Sequence, residues 1–499
     1  MAPSASLALD TALAADEVLL DVSINQQRKD TVLLLRSEGR VFAGAEDLRR
    51  WRMRLPDTNP LTLYGEDFYA LDALEGLTYR LDESTQTLAM QVPPGLFDAT
   101  RLAGKEAKFS APTPASLGGF LNYDVTANHT QGQTKTNGLL ELGSFGSWGT
   151  AQTRILALDL GGQASAIRLD TTWTRDQPMQ LASLRFGDAI SGTSSWGGAV
   201  RFGGAQWATN FSVQPGFVTF PLPGISGEAA LPSTVDLYVD SALRMRRQVP
   251  SGPFSIEDLP VPNGRGDARL VVRDILGREQ IITQPFNTNS QLLKQGLHDY
   301  SYEVGFVRRN FGIDSNNYGR PVVVGTHRLG LTEQFTGEVH GELLGNQQTV
   351  GLGGVLTLPS AGVLSGSFAA SHSDKGVGGL LGLGFRGQSR SFSFGVNTQI
   401  ASQRFVKLGM QPEELAPRQI SQAFVNLATT DYGAFSARYT QQAFHDQEDK
   451  TIVSGSYAME VGSLGNLRMS VMRFLSGDAN TVFSLNFSMR LGNRTNANI

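Results

Sequence analysis

The chain has 499 residues, too many for one ordinary soluble domain, and only 18% of them are Asp, Glu, Lys or Arg, against about 25% in soluble proteins. Its formal charge of −4 leaves no basic stripe for phosphates and excludes nucleic acid as a partner; with no Cys it has no disulfide, thiol nucleophile or Cys-based metal site. There are 56 glycines and no apolar run of about 18 residues that would cross a membrane as a helix, a balance that fits an outer-membrane barrel or a large soluble all-β protein.

Residues 1–17 read as a tail or signal-peptide remnant. Met1 to Ala15 holds no Lys or Arg and is interrupted by Asp10, while Ala12-Leu13-Ala14 resembles the small-residue end of a secretory signal. Residues 18–103 have the charge density of a water-exposed domain. Leu20, Val22 and Ile24 alternate along one expected strand, and Asp30 to Arg36 reads as its hairpin partner across a link at Gln26 to Lys29. Ala45 to Met53 has short-helix character, with acids first and bases last, and Leu48, Trp51 and Leu55 toward one core. A linker rich in Ser, Pro and Thr covers 104–117.

From Gly118 the texture changes to long segments with one apolar and one polar face, first over 118–215 and again over 288–499. Tyr300, Tyr302, Val304 and Phe306 alternate with Ser301, Glu303 and Gly305. Phe335, Val339 and Leu343 alternate with Thr336, Glu338, His340 and Glu342. Segments of roughly 9 to 11 residues can cross a membrane at a barrel's tilt, whereas sandwich strands average about 5 to 6. About 15 to 17 such segments can be counted. Trp148, Trp173, Trp196 and Trp207 recur near segment ends, as an interfacial girdle or as core aromatics.

Between the two runs, residues 216–287 read as a separate small β-sandwich. Val235, Leu237 and Val239 share one strand face; Pro253 and Phe254 follow a turn, and short strands recur between Gly/Pro turns. Arg265-Gly266-Asp267 reads as a turn there. Catalytic patterns are absent. The six His residues are scattered, and Gly376-Val377-Gly378-Gly379 meets Leu381 where a dinucleotide fingerprint needs Gly. His340 with Glu338 and Glu342 is the best cluster, and lining of a barrel lumen is its simplest reading. No enzymatic activity, cofactor or metal is expected.

The order of parts resembles the outer-membrane usher family of the chaperone–usher pathway. The resemblance runs from about Glu17 to the C-terminus. It rests on Leu20-Asp21-Val22-Ser23-Ile24-Asn25, Gly119-Phe120-Leu121-Asn122-Tyr123-Asp124, Arg201-Phe202-Gly203-Gly204-Ala205-Gln206, Val249-Pro250-Ser251-Gly252-Pro253-Phe254 and Tyr300-Ser301-Tyr302-Glu303-Val304-Gly305. The texture is similar to the branch handling spore-coat-U-like pilins.

The resemblance implies an all-β dominated chain. A transmembrane antiparallel β-barrel, incomplete here because further strands and C-terminal domains are expected, would carry an inserted β-sandwich plug and a small mixed α/β N-terminal periplasmic domain. It implies a non-enzymatic outer-membrane protein that recruits periplasmic chaperone–pilin complexes and assembles pilin subunits into a surface fibre without ATP; a homodimer is a further expectation. On that reading Leu19, Leu20 and Val22 are candidates for a chaperone-facing edge, and Val235, Leu237, Val239, Pro253 and Phe254 for the plug. The alternative is a plugged porin or uptake channel for small solutes.

Overall fold

The computed structural model describes residues 15–63, 65–103, 109–110, 112–130, 132–262, 264–358, 361–389, 391–411, 413–429, 432–462, 465–477, 480–490 and 496–498. Residues 1–14 of the expected tail, and 104–108 and 111 of the expected linker, lie outside the described residues. Two compact units divide the chain. The first is Met1–Glu106 with Leu222–Val261 and Gly266–Phe286, and the second is Ala107–Pro221 with Pro262–Arg265 and Asn287–Ile499.

The chain begins with β1 (Asp16–Ile24), β2 (Gln27–Ser37), β3 (Arg40–Gly44), the helix α1 (Ala45–Arg50), β4 (Leu61–Leu63), β5 (Glu66–Ala70), β6 (Thr78–Asp82), β7 (Thr87–Gln91) and β8 (Thr100–Ala103). Six long strands follow: β9 (Gly118–Thr130), β10 (Gln133–Gly146), β11 (Gly149–Leu158), β12 (Ser165–Gln177), β13 (Ala182–Ile190) and β14 (Arg201–Thr209). The insertion contributes β15 (Ile225–Ala229), β16 (Ser233–Val239), β17 (Ala242–Val249), β18 (Gly252–Glu257), β19 (Gly264–Asp274) and β20 (Glu279–Thr288). Long strands then resume with β21 (His298–Arg308), β22 (Tyr318–Thr332), β23 (Phe335–Leu344), β24 (Gln347–Leu358), β25 (Gly362–Ser373) and β26 (Gly376–Gln388). The last are β27 (Phe392–Ala401), β28 (Gln419–Thr429), β29 (Gly433–Ala443), β30 (Lys450–Val461), β31 (Gly465–Phe474) and β32 (Thr481–Arg490), before the short β33 (Asn496–Asn498).

In the first unit, strands β1 to β7 form one sheet in the order β4-β5-β3-β2-β1-β7-β6. Period-two alternation carries Leu20, Val22 and Ile24 of β1 into a core with Val32 and Leu34 of β2, and Leu48 and Trp51 close it from the helix side. The hairpin link is tighter than the sequence predicts. Asn25 and Gln26 alone turn the chain, both at positive φ (48° and 69°), the pair of left-handed residues that a two-residue hairpin requires.

The insertion is a sandwich of two sheets, β17-β16-β19-β20 and β15-β18-β8. Val235, Leu237, Val239, Phe254, Ile256 and Leu270 are buried in its core; each such side chain contributes roughly 1.5–3 kcal/mol of transfer free energy. Pro253 is half-buried beside Phe254. The third strand of the smaller sheet comes from outside the insertion: β8 runs parallel to β18, with Leu102 opposite Ile256 and packed on the core. Asn25 adds a tie, its Nδ2 donating to the carbonyls of Val92 (2.9 Å) and Ala230 (3.1 Å). The Arg265-Gly266-Asp267 triplet is the start of β19, not a turn, because Tyr238 and Val239 hold the strand in register just beyond it.

In the second unit, β9–β14 and β21–β32 make one antiparallel sheet whose strands are 9 to 15 residues long. Each strand pairs with the next. The insertion leaves between β14 and β21, yet those two pair directly from Phe202↔Val307 to Ala208↔Ser301. The order of neighbours is that of a ring, returning through β33 to β9. One long strand, β22, escapes the sequence pattern. It contains Pro321 and lacks clean alternation, but β23 pairs only from Val323 onward, so Pro321 costs no ladder bond on that side.

The two faces of this sheet invert the usual order. Val339, Leu352, Phe368, Leu381 and Ile400 stand in one cross-strand row over β23 to β27, and all are about half exposed. The opposite face carries Glu303, Thr326, His340, Glu342 and Thr349, all buried. Apolar rows left exposed over so many strands need lipid to cover them.

Candidate functional site

Two loops explain why the polar face is buried. Residues 191–200 join β13 to β14, and residues 402–418 join β27 to β28. Both carry large apolar side chains, and Trp196 and Phe405 are each 1% exposed. The seat beneath them is one cross-strand row of mostly small residues, Gly351 on β24, Ala369 on β25 and Ala401 on β27, with Leu380 on β26. A Cβ on Gly351 would stand 2.6 Å from the Trp196 ring, and one on Gly378 would stand 2.3 Å from the Phe405 backbone. Glycine at these places on a strand therefore marks close approach of a loop rather than flexibility.

Carboxylates on the same face hold the loop backbones. Glu303 Oε1 accepts the Gly192 N–H (2.8 Å), and Glu338 Oε1 accepts both the N–H and the hydroxyl of Ser195 (2.8 Å each). Glu342 Oε2 accepts the Leu408 N–H at 2.6 Å, while its Oε1 lies 3.1 Å from His340 Nε2. The second His340 nitrogen is 2.7 Å from Thr326 Oγ1, and the Trp196 ring meets the imidazole edge-on at 4.9 Å. Thr349 and Ser371 fasten Val406, and Lys407 Nζ donates to the Trp196 carbonyl at 3.1 Å, joining the loops to each other. Each of the three carboxylates thus accepts one loop N–H together with a side-chain partner, Glu303 taking Gln206 and Ser301 on the same oxygen while its Oε2 has no partner among the described residues.

The structure thus brings together Glu338, His340 and Glu342, as the alternation of β23 predicts, and gives them the task of fastening loops. Among the described residues no cluster of three or more His, Asp or Glu is placed to hold a metal. Trp196 departs from the girdle reading: it is a buried loop anchor, whereas Trp148 and Trp207 are exposed. The sequence signal for the loops is their composition. Ser194-Ser195-Trp196-Gly197-Gly198, and Phe405-Val406 with Leu408, are too apolar for solvent-exposed connections.

The other candidate residues fall into the first unit. Val235, Leu237, Val239 and Phe254 meet in the sandwich core. Leu20 and Val22 are 2% and 0% exposed, and β1 is an interior strand between β2 and β7, which corrects their placement on an edge. Leu19 points the other way. It is 57% exposed, with the exposed Leu33 directly opposite on β2.

A long antiparallel sheet with an exposed apolar face, a buried polar face and inward-seated loops defines a membrane-spanning protein of the β-barrel class. Residues 146–411 match the family model described as outer membrane usher protein, more than half of the chain, and the chain belongs to that family. Its place is the outer membrane. Among curated relatives, the outer membrane usher protein FaeD of Escherichia coli is 28% identical over 240 residues, 48% of this chain and 28% of the relative. The outer membrane usher protein HifC of Haemophilus influenzae is 23% identical over 429 residues, 81% of this chain and 48% of the relative. The chain therefore spans less than half the length of these relatives. A cryo-EM structure of an E. coli P pilus tip assembly intermediate, PapC-PapD-PapK-PapG, is similar over 97% of this chain and 65% of that one. Its TM-score is 0.54 at 18% identity, a likeness of fold.

Proposed function

We propose that this chain recruits chaperone–pilin complexes at its N-terminal sheet domain and passes pilin subunits through a pore formed by the long-stranded sheet, with the inserted sandwich as the plug. The observation that carries this reading is the order of parts: a soluble sheet domain, then amphipathic strands interrupted between β14 and β21 by a sandwich with its own core. On this reading the buried polar face is the lumen, and the two seated loops narrow it. The work is not enzymatic. Subunits join by strand addition, in which main-chain hydrogen bonds supply affinity and side-chain pockets supply specificity, so no nucleotide is needed.

The exposed pair Leu19 and Leu33 is our candidate for the recruiting surface, and Leu20 and Val22 support it from behind. The test is titration of purified chaperone–pilin complex from the same organism onto the whole chain in detergent. Saturable binding is expected, weakened about tenfold by Leu19→Asp or Leu33→Asp, the size of a modest interface hot spot. Binding that is absent, or indifferent to both substitutions, would remove recruitment from the account.

A further inference from the structure

Where β12, β13, β14, β21 and β22 run into their loops, Arg168, Arg201, Arg308, Arg309 and Arg320 stand against Asp188 and Asp314. Asp188 is already saturated. It accepts Arg168 (2.5 Å), Arg308 (2.7 Å), the Tyr318 hydroxyl (2.6 Å) and the Thr171 N–H (2.9 Å). Asp314 is taken up by the amides of Asn310 and Asn317, at 2.9 and 3.0 Å. Beside them lies a cavity of about 620 Å³, lined by Arg201, Arg308, Arg309 and Arg320 with Asn310 and Asn317; no Asp or Glu is among its lining residues.

Two further observations mark this as a built site. The Arg308 side chain is 1% exposed and spends its Nη atoms on Asp188 and the carbonyls of Arg168 and Ser315, so the free charge of the recess comes from its neighbours. Arg201 and Arg308 are held on one ring, their guanidinium carbons 3.6 and 5.6 Å from the centre of Phe311. Arg309 lies across Gly319, where a Cβ would stand 2.7 Å from its Nε. Among the described residues Arg201, Arg309 and Arg320 have no carboxylate within ion-pair distance. Like charges focused in one recess attract a counter-ion, and planar guanidinium forks match the oxygens of a phosphate group.

We propose that this cavity binds a phosphate-class oxyanion. The same chemistry is offered by soluble phosphates and by a phosphorylated lipid headgroup, and the test separates them. Pyrophosphate is titrated calorimetrically into the whole chain in detergent, and in parallel the chain is offered vesicles of phosphorylated or dephosphorylated lipid A. Saturable pyrophosphate binding that weakens about tenfold in Arg201→Gln or Arg320→Gln supports a soluble ligand, one charge-assisted contact being worth about that much. Binding confined to phosphorylated vesicles, and lost in the same variants, supports the lipid. Gly319→Ala, which keeps every charge but displaces Arg309, is expected to weaken binding too. Arg438→Gln on β29 serves as a charge-matched control and leaves it unchanged. No saturable binding of either ligand, or binding indifferent to Arg201→Gln, Arg320→Gln and Gly319→Ala alike, overturns the proposal.

Discussion

At the scale of single residues, the seated loops depend on absence of side chain as much as on its presence. Gly351 leaves the space that the Trp196 ring fills. A Cβ there would also stand 2.6 Å from the Phe368 carbonyl oxygen on β25, so Gly351→Ala, the smallest addition, is expected to unseat residues 191–200 and to loosen the β24-β25 ladder beside it. Limited proteolysis reads this directly: the variant is cut within that loop while the wild type resists, and equal resistance would show that the polar ties from Glu303, Glu338 and Lys407 hold the loop without the seated ring.

A second residue-scale prediction concerns pH. Arg246 donates to Asp236 at 2.6 and 2.8 Å and holds this carboxylate below its ordinary range. A carboxylate whose folded pKa is depressed stabilises the fold above its unfolded value of about 3.9, and that contribution is lost as pH falls through the folded value. Hydrogen exchange in β16 and β17 is expected to accelerate below about pH 4, and Asp236→Asn to flatten the change. The effect is small, because Arg246 is largely exposed.

At the scale of elements, β8 is the strand whose position most constrains the insertion. It leaves the N-terminal sheet domain and completes the β15-β18 sheet, so the sandwich borrows one strand and Leu102. Arg101 and Ser255 are direct neighbours in that parallel pair. With no native Cys, Arg101→Cys with Ser255→Cys gives a chain with two thiols at strand-neighbour spacing. Mild oxidation is expected to cross-link them, seen as a shift on a non-reducing gel; no cross-link would mean that β8 does not add to β18.

Elements also show what was legible in the sequence. Long strands with strict alternation, such as β23 and β32, announce themselves because each face has one solvent. The strand β22 does not, since Pro321 and the run Val322-Val323-Val324, apolar on both faces, blur its period. The role of Trp196 was equally hidden: its partners His340, Gly351 and Phe405 lie far along the chain, and only register brings them together. The addition of β8 to β18 has no local signal either, being a parallel pairing across more than 150 residues. The cluster of Glu338, His340 and Glu342 was visible as a polar strand face, but its loop partners were not.

At the scale of the whole molecule, the central claim is that a long-stranded membrane sheet forms a conduit and the inserted sandwich controls it. Each part has its own core or face, and β14 and β21 pair directly although the insertion separates them in sequence. The insertion can therefore be removed without opening the sheet. The decisive measurement is single-channel conductance in planar bilayers of the whole chain and of a variant in which Leu222–Phe286 is replaced by a short Gly-Ser link. The account predicts a quiet wild type and a variant with large, steady conductance. A variant that inserts with its strand content intact, and is as quiet as the wild type, would contradict it.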